Sequence, residues 1–197
     1  DGTARVAEAM AGRGAHVLLL SIDKVFDGSV ALRRREDSVS PITEYGRQKA
    51  LAEAGIRGLG QQGAILRLSK VLGREETLIR DWTAALAAGR VITPFTDMCL
   101  APVPLTLVCR LVALLVGARA HGIFQLSGAE DRSYADLAQR LAARLGAVLD
   151  LVQPCACDPA QHSIESRPRH SSLDMSLEAE RFGFRQPGFD EVVDGLL

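Results

Sequence analysis

A chain of 197 residues with 47% hydrophobic and 24% charged side chains carries enough apolar material for one sizeable core, or for a core with an appended lobe, which excludes a mini-protein, a disordered tail and a fibrous repeat. A formal net charge of −1 leaves no electrostatic footprint for nucleic acid, and the brief "RRRE" run at residues 33–36 is followed at once by Asp37. The most apolar stretch, residues 104–118, is too short for a bilayer and is interrupted by Arg110, so no membrane segment is expected.

The first residue is Asp1 rather than Met, and residues 2–11 already read as an amphipathic helix with Val6, Ala7 and Met10 on one face, so the chain is expected to begin within a domain. "RGAHVLLLS" then supplies a turn and a continuous apolar run of the kind a parallel strand shows when helices cover both its faces. Residues 27–43 are polar and form a loop before a helix over 44–57. A second buried strand follows at 64–69, then a helix over 77–88 that Gly89 ends. Helix, strand, helix, strand, helix is the rhythm of a doubly wound α/β fold with a parallel sheet.

The second half keeps that rhythm less strictly. A Pro-rich irregular stretch leads to the core helix at 104–117, a short strand at 122–128, and a helix capped by Ser133 whose Leu137, Leu141 and Leu145 repeat every four residues. "AVLDLVQ" at 147–153 predicts a strand, residues 154–170 a loop, and residues 189–197 a terminal helix. The division expected is a Rossmann-like, incomplete nucleotide-binding unit over 1–72, with some later segments, and a smaller C-terminal substrate lobe made mainly of 73–197. Trp82 and Phe95 read as packing residues.

Cysteines at 99, 109, 155 and 157 do not space out as a disulfide framework, and Cys109 lies in an apolar helical pattern where a buried, reduced thiol is expected. A reducing cytoplasm suits the set. Cys155 and Cys157, with His162 and His170 nearby, lack the second matched pair of a zinc site, so no metal is expected.

Tyr45 and Lys49 stand four residues apart on the helix predicted over 44–57, so both side chains leave the same face. An ammonium beside a phenol favours the phenolate, and such a phenol can give or take a proton. The spacing alone is common, and its setting is what gives it weight. "SIDKVFDG" at 21–28, "SPITEYGRQKALAE" at 40–53 and "AILRLSKVLG" at 64–73 resemble, in order, the S-T-D-Y-V-F-D-G, P-x-x-x-Y-G-x-x-K-x-x-x-E and I-x-R-x-x-x-x-x-G segments of extended short-chain dehydrogenases. "GIFQLSG" at 122–128 with "SYADLAQRLA" at 133–142, and "RPRHSSLDMS" at 167–176, are similar to later segments of one branch, the dTDP-4-dehydrorhamnose reductase family of sugar-nucleotide-binding proteins.

That resemblance implies NAD(P)-dependent reduction of a keto-sugar nucleotide. Tyr45 and Lys49 would be the catalytic pair; Ser21, Tyr45 and Lys49 would contact NADP or NAD; Asp23, Lys24, Val25, Phe26, Arg167 and Arg169 would line the substrate site. Arg167 and Arg169 suit a diphosphate as a bidentate fork, and equally an ordinary surface ion pair. Two positions depart from the family. Ile22 stands where a threonine hydroxyl would hold the developing oxyanion, and Lys24 stands where the family has tyrosine, its ammonium reaching either an anionic part of the substrate or solvent. The glycine-rich turn that cradles a dinucleotide pyrophosphate is not found in these residues; "GIRGLGQQG" at 55–63 precedes a strand instead of following one. The same family includes the regulatory β subunit of methionine adenosyltransferase, so a non-catalytic regulatory subunit is the other expectation, with a homodimer or a regulatory partner as the assembly.

Overall fold

The computed structural model describes residues 2–158 and 165–196. Helix α1 (Gly2–Ala11) leads into strand β1 (Val17–Ile22), and a 3-10 turn at Asp23–Val25 follows directly. After a loop comes α2 (Glu44–Arg57), then β2 (Gly63–Leu68), the short β3 (Val71–Leu72) and α3 (Thr77–Ala87). Two short strands, β4 (Cys99–Leu100) and β5 (Val103–Pro104), precede α4 (Leu105–Gly117) and β6 (Gly122–Leu126). The chain closes with β7 (Arg132–Ser133), α5 (Tyr134–Leu145), α6 (Ser176–Phe182) and α7 (Phe189–Asp194).

The main sheet runs β1-β2-β6, all parallel, with Val17 opposite Gly63 and Ala64 opposite Gly122. Central β2, "GAILRL", is buried along its whole length, which explains its unbroken apolar run and leaves Arg67 as its one charged residue. Val108, Leu111 and Leu115 of α4 cover one face of the sheet together with Phe184 and Met175. Ala7 of α1 and Ile56 of α2 cover the other through Ile65. This is the three-layer α/β arrangement the rhythm predicted, and β6 returns to the same sheet from beyond residue 72.

Three local expectations change. Residues 147–153 form a 3-10 turn at Leu149–Leu151 rather than a strand, and only Val152 bridges to Ile92, because these residues pack beside α5 at the rim of a smaller cluster. On α1 the buried residues are Ala7 and Ala11, while Val6 and Met10 are 65% and 47% exposed. Small residues let α1 lie close on its neighbours, and the larger ones are left outside. Cys109 is exposed, since it sits one residue off the buried 108, 111, 115 stripe of α4.

The C-terminal helices are tied in by local chemistry. Ser133 and Asp136 form a reciprocal capping box on α5, which Gly146 ends in the left-handed conformation. Glu178 of α6 is fully buried and accepts the Gln125 backbone N–H of β6 at 2.9 Å. Burial holds its carboxyl above the ordinary 4.5, against that hydrogen bond and the nearby charge of Arg35. The folded protein therefore binds this proton more tightly than the unfolded chain, and the stability tied to it is full at acid pH and lost as pH rises through the raised value. Glu178→Gln should gain in thermal midpoint relative to the parent as pH is raised above the ordinary carboxylate value of 4.5. Melting curves of both proteins over a pH series check it, and a constant gap would contradict it.

Candidate active site

The carboxyl ends of β1 and β2 open onto a cleft of about 400 Å³, lined among others by Ile22, Lys24, Tyr45, Ser69, Lys70 and Tyr134. Ligands in open α/β sheets bind outside these strand ends. A second groove of about 390 Å³ lies on the other side of Tyr45, lined by Leu19, Gln48, Lys49 and Leu51. Tyr45 thus stands between two cavities, with Ile22 and Lys24 on one side and Lys49 on the other.

Helix α2 delivers this placement. Thr43 caps it by accepting the Gly46 N–H at 3.0 Å. Tyr45 is 51% exposed, and Lys49 Nζ lies 5.8 Å from its ring centroid while donating to the Leu20 carbonyl at 2.8 Å. The first turn of α2 lies so close to the β1 turn that a Cβ on Gly46 would be 2.2 Å from the Lys24 carbonyl oxygen. Alanine normally stabilises a helix interior relative to glycine by about 1 kcal/mol. Here Gly46→Ala should do the opposite, losing about 1 to 3 kcal/mol by overpacking and lowering the thermal midpoint. A denaturant titration that finds the variant more stable would show that this approach is not rigid.

The residues singled out in "SIDKVFDG" divide between wall and core. Ile22 and Lys24 face the cleft, and Lys24 is exposed. Asp23 reaches the cleft but accepts the Ser171 hydroxyl, and burial pushes its carboxyl above the ordinary 3.8 against that bond and the Lys24 charge. Val25 and Phe26 do not line this cleft. They are 0% and 4% exposed and pack with Leu173 in a small core, because the turn after β1 folds back under the 171–175 segment. Ser21 is buried likewise: the residue is 1% exposed, its hydroxyl donates to Glu53 at 2.6 Å, and it does not line the cleft. Successive strand residues face opposite ways, and Ile22 has taken the cleft side.

Of the C-terminal stretch, Pro168 and Ser171 line the cleft. Arg167 pairs with Asp97 at 3.1 Å, the surface ion pair rather than the free fork, and Arg169 is exposed. Asp97 also accepts the Cys157 N–H at 2.8 Å and is held below its ordinary value, first by that bond and then by Arg167. Among the described residues no group of three or more His, Cys, Asp or Glu side chains gathers as a metal site, and His162 lies outside them.

Several site residues had no sequence signal of their own. Tyr134 and Lys70 enter the cleft from α5 and from the end of β2; Lys70 is paired with Glu76 at 2.8 Å, and burial raises the Tyr134 phenol. Asp131 gathers the 170–172 segment, accepting from the Ser171 and Ser172 backbones at 2.6 and 2.9 Å and meeting His170 Nδ1 at 3.1 Å. Glu53 was within reach, since it continues the four-residue spacing of Tyr45 and Lys49 on α2.

The model of the RmlD substrate binding domain matches residues 1–197. The chain belongs to that family. One relative of the RmlD-family chain, named "probable low-salt glycan biosynthesis reductase" in Haloferax volcanii, is 30% identical over 183 residues, covering 89% of this chain and 61% of its own length. A dTDP-4-dehydrorhamnose reductase of Sinorhizobium fredii is 28% identical over 213 residues, covering 100% of this chain and 70% of that protein. The chain thus spans less than two thirds of the first relative. The crystal structure of a dTDP-4-dehydrorhamnose reductase from Bacillus anthracis in complex with NADP superposes with a TM-score of 0.89 over 99% of this chain and 69% of that one; at 19% identity it speaks for the fold. No helix among the described residues is long and apolar enough to cross a membrane.

Proposed function

We propose that this RmlD-family chain carries the proton-donor and sugar-nucleotide side of an NAD(P)-dependent reduction of a keto-sugar nucleotide. The observation that carries the reading is the position of Tyr45 between two cavities, with Lys49 on one side and the Ile22–Lys24 wall on the other. The substrate carbonyl would lie in the cleft lined by Ile22 and Lys24, where Tyr45 gives its proton to the carbonyl oxygen as the bond order falls. Lys49, held by the Leu20 carbonyl, orients the phenol. Lys24 offers a cation to an anionic part of the substrate, and Tyr134 and Lys70 close the far wall.

The groove on the Lys49 side fits the nicotinamide end of a cofactor, with Thr3, Tyr45, Gln48 and Lys49 as its polar groups. When bound, the nicotinamide would supply the hydride. Residues 1–72 would then belong to the nucleotide-binding sheet and 73–197, apart from the segments that return to it, to the sugar-nucleotide lobe. The relatives' names as reductases support this reading.

The test is oxidation of NADH and NADPH by the protein, expressed from its complete coding sequence, with a panel of 4-keto-sugar nucleotides. Turnover dependent on the sugar supports the reading, and a folded, cofactor-bound protein that turns over none of them removes it. One observation favours a second reading, a non-catalytic binding or regulatory subunit: Ile22 puts an alkyl group on the cleft wall where the reaction calls for a hydrogen-bond donor.

A further inference from the structure

The α2 face that carries Tyr45 and Lys49 continues to Glu53, whose side chain is 0% exposed and meets Arg67 of β2, itself 1% exposed. Arg67 donates to it as a fork, from Nε at 3.0 Å and from Nη2 at 2.8 Å. Ser21 Oγ donates to the same carboxylate at 2.6 Å. Lys49, one turn earlier, donates to the Leu20 carbonyl at 2.8 Å. Helix α2 is therefore fastened to two consecutive residues of β1, immediately before Ile22. The guanidinium also acts in the other direction. Its Cζ lies 4.9 Å from the centroid of the Phe26 ring, and its Nη1 donates to the Arg35 carbonyl at 3.3 Å. Phe26 closes the turn that presents Lys24 to the cleft.

Stability alone does not account for this pair. Taking a carboxylate and a guanidinium out of water is costly, and well-packed apolar side chains of similar volume often serve the fold as well or better. What an ion pair offers and an apolar contact does not is direction. The other buried residues of α2 are Gly46, Ala52 and Ile56, two of them too small to fix how the helix lies along the strand. A fork donor and a carboxylate permit one arrangement.

We propose that Glu53 and Arg67 are positioning residues for the reaction site: their ion pair sets Tyr45 and Lys49 against the carboxyl end of β1 and, through Phe26, sets the Lys24 turn in the same frame. The assignment rests on the reductase reading above. It makes the proton donor and the cleft wall one mechanical unit, held from a fully buried point outside both cavities.

Single truncations would strand a buried charge, so the decisive variant is Glu53→Met with Arg67→Met, which leaves none. The expected result is a protein that melts at or above the parent temperature, yet whose kcat falls about 100-fold, with KM for the sugar nucleotide changed by less than about two-fold. Arg67→Lys, which keeps the charge without the fork, should fall between. Hydrogen exchange supplies a readout that needs no turnover: backbone amides of residues 44–50 should exchange faster in the double variant while those of β2 and β6 keep their rates. A parent that oxidises no NAD(P)H would remove the functional reading, and exchange alone would then decide the positioning role. Parent-like kcat, or in that case parent-like exchange in α2, overturns the proposal. A lowered melting temperature with exchange raised throughout also overturns it, because the pair would then be a general stabiliser. Should the double variant not fold, Ser21→Ala, which removes one hydrogen bond and no charge, should show the same split at about ten-fold in kcat, and an unchanged kcat overturns the proposal.

Discussion

Replacing Ile22 by threonine should raise the rate of keto-sugar nucleotide reduction by about two to three orders of magnitude. Ile22 ends β1 and lines the cleft beside Tyr45, so a hydroxyl there would face the oxygen that collects charge as the carbonyl is reduced. One such donor contributes about 2.7 to 4 kcal/mol to the transition state. The backbone should accept the change, because both residues are β-branched and suit an extended strand. Ile22→Val is the control: it trims the side chain without adding a donor and should leave the rate where it is. Steady-state rates for the three proteins at saturating cofactor check the prediction. If threonine and valine behave alike, the missing hydroxyl is not what limits the reaction, and the non-catalytic reading gains.

Tyr45→Phe should abolish most of the activity, by about 10² to 10⁴-fold, the usual contribution of a positioned acid or base. The effect should fall on kcat rather than on folding, because Tyr45 is 51% exposed and contributes little to the core. Thermal midpoint and sugar-nucleotide affinity should therefore stay near the parent values, the affinity being measured by calorimetry with a non-reducible analogue. An unchanged rate would take Tyr45 out of the proton-donor role. Partner association that survives Tyr45→Phe, in a protein without turnover, would place the function in the scaffold instead.

The two positions that depart from the family are read differently in three dimensions. Ile22 stays what its place in the strand suggested, because alternation along β1 leaves it the cleft side once Ser21 turns to Glu53. Lys24 moves from a choice between solvent and substrate to a cleft-lining cation whose neighbour Asp23 is already committed to Ser171. Val25 and Phe26 lie beside them in sequence and do not line that cleft. A motif marks a stretch of chain, whereas the turn after β1 decides residue by residue which side chains line the cleft.

The family resemblance supplied the hydroxyl that Ile22 lacks; the residues themselves supplied the α/β rhythm, the second buried strand and the Tyr45–Lys49 spacing. All of these are local: periodicity and spacing are written along a few turns of chain, and propensity and pattern agree there. Only the tertiary structure decided that Arg167 is taken by Asp97, that residues 147–153 turn instead of pairing, and that Glu53, Arg67 and Ser21 meet in one buried network. Such contacts join residues up to 70 positions apart, as Arg167 and Asp97 are, and a polar side chain's partner is set by which segments the packing brings together rather than by its neighbours in sequence.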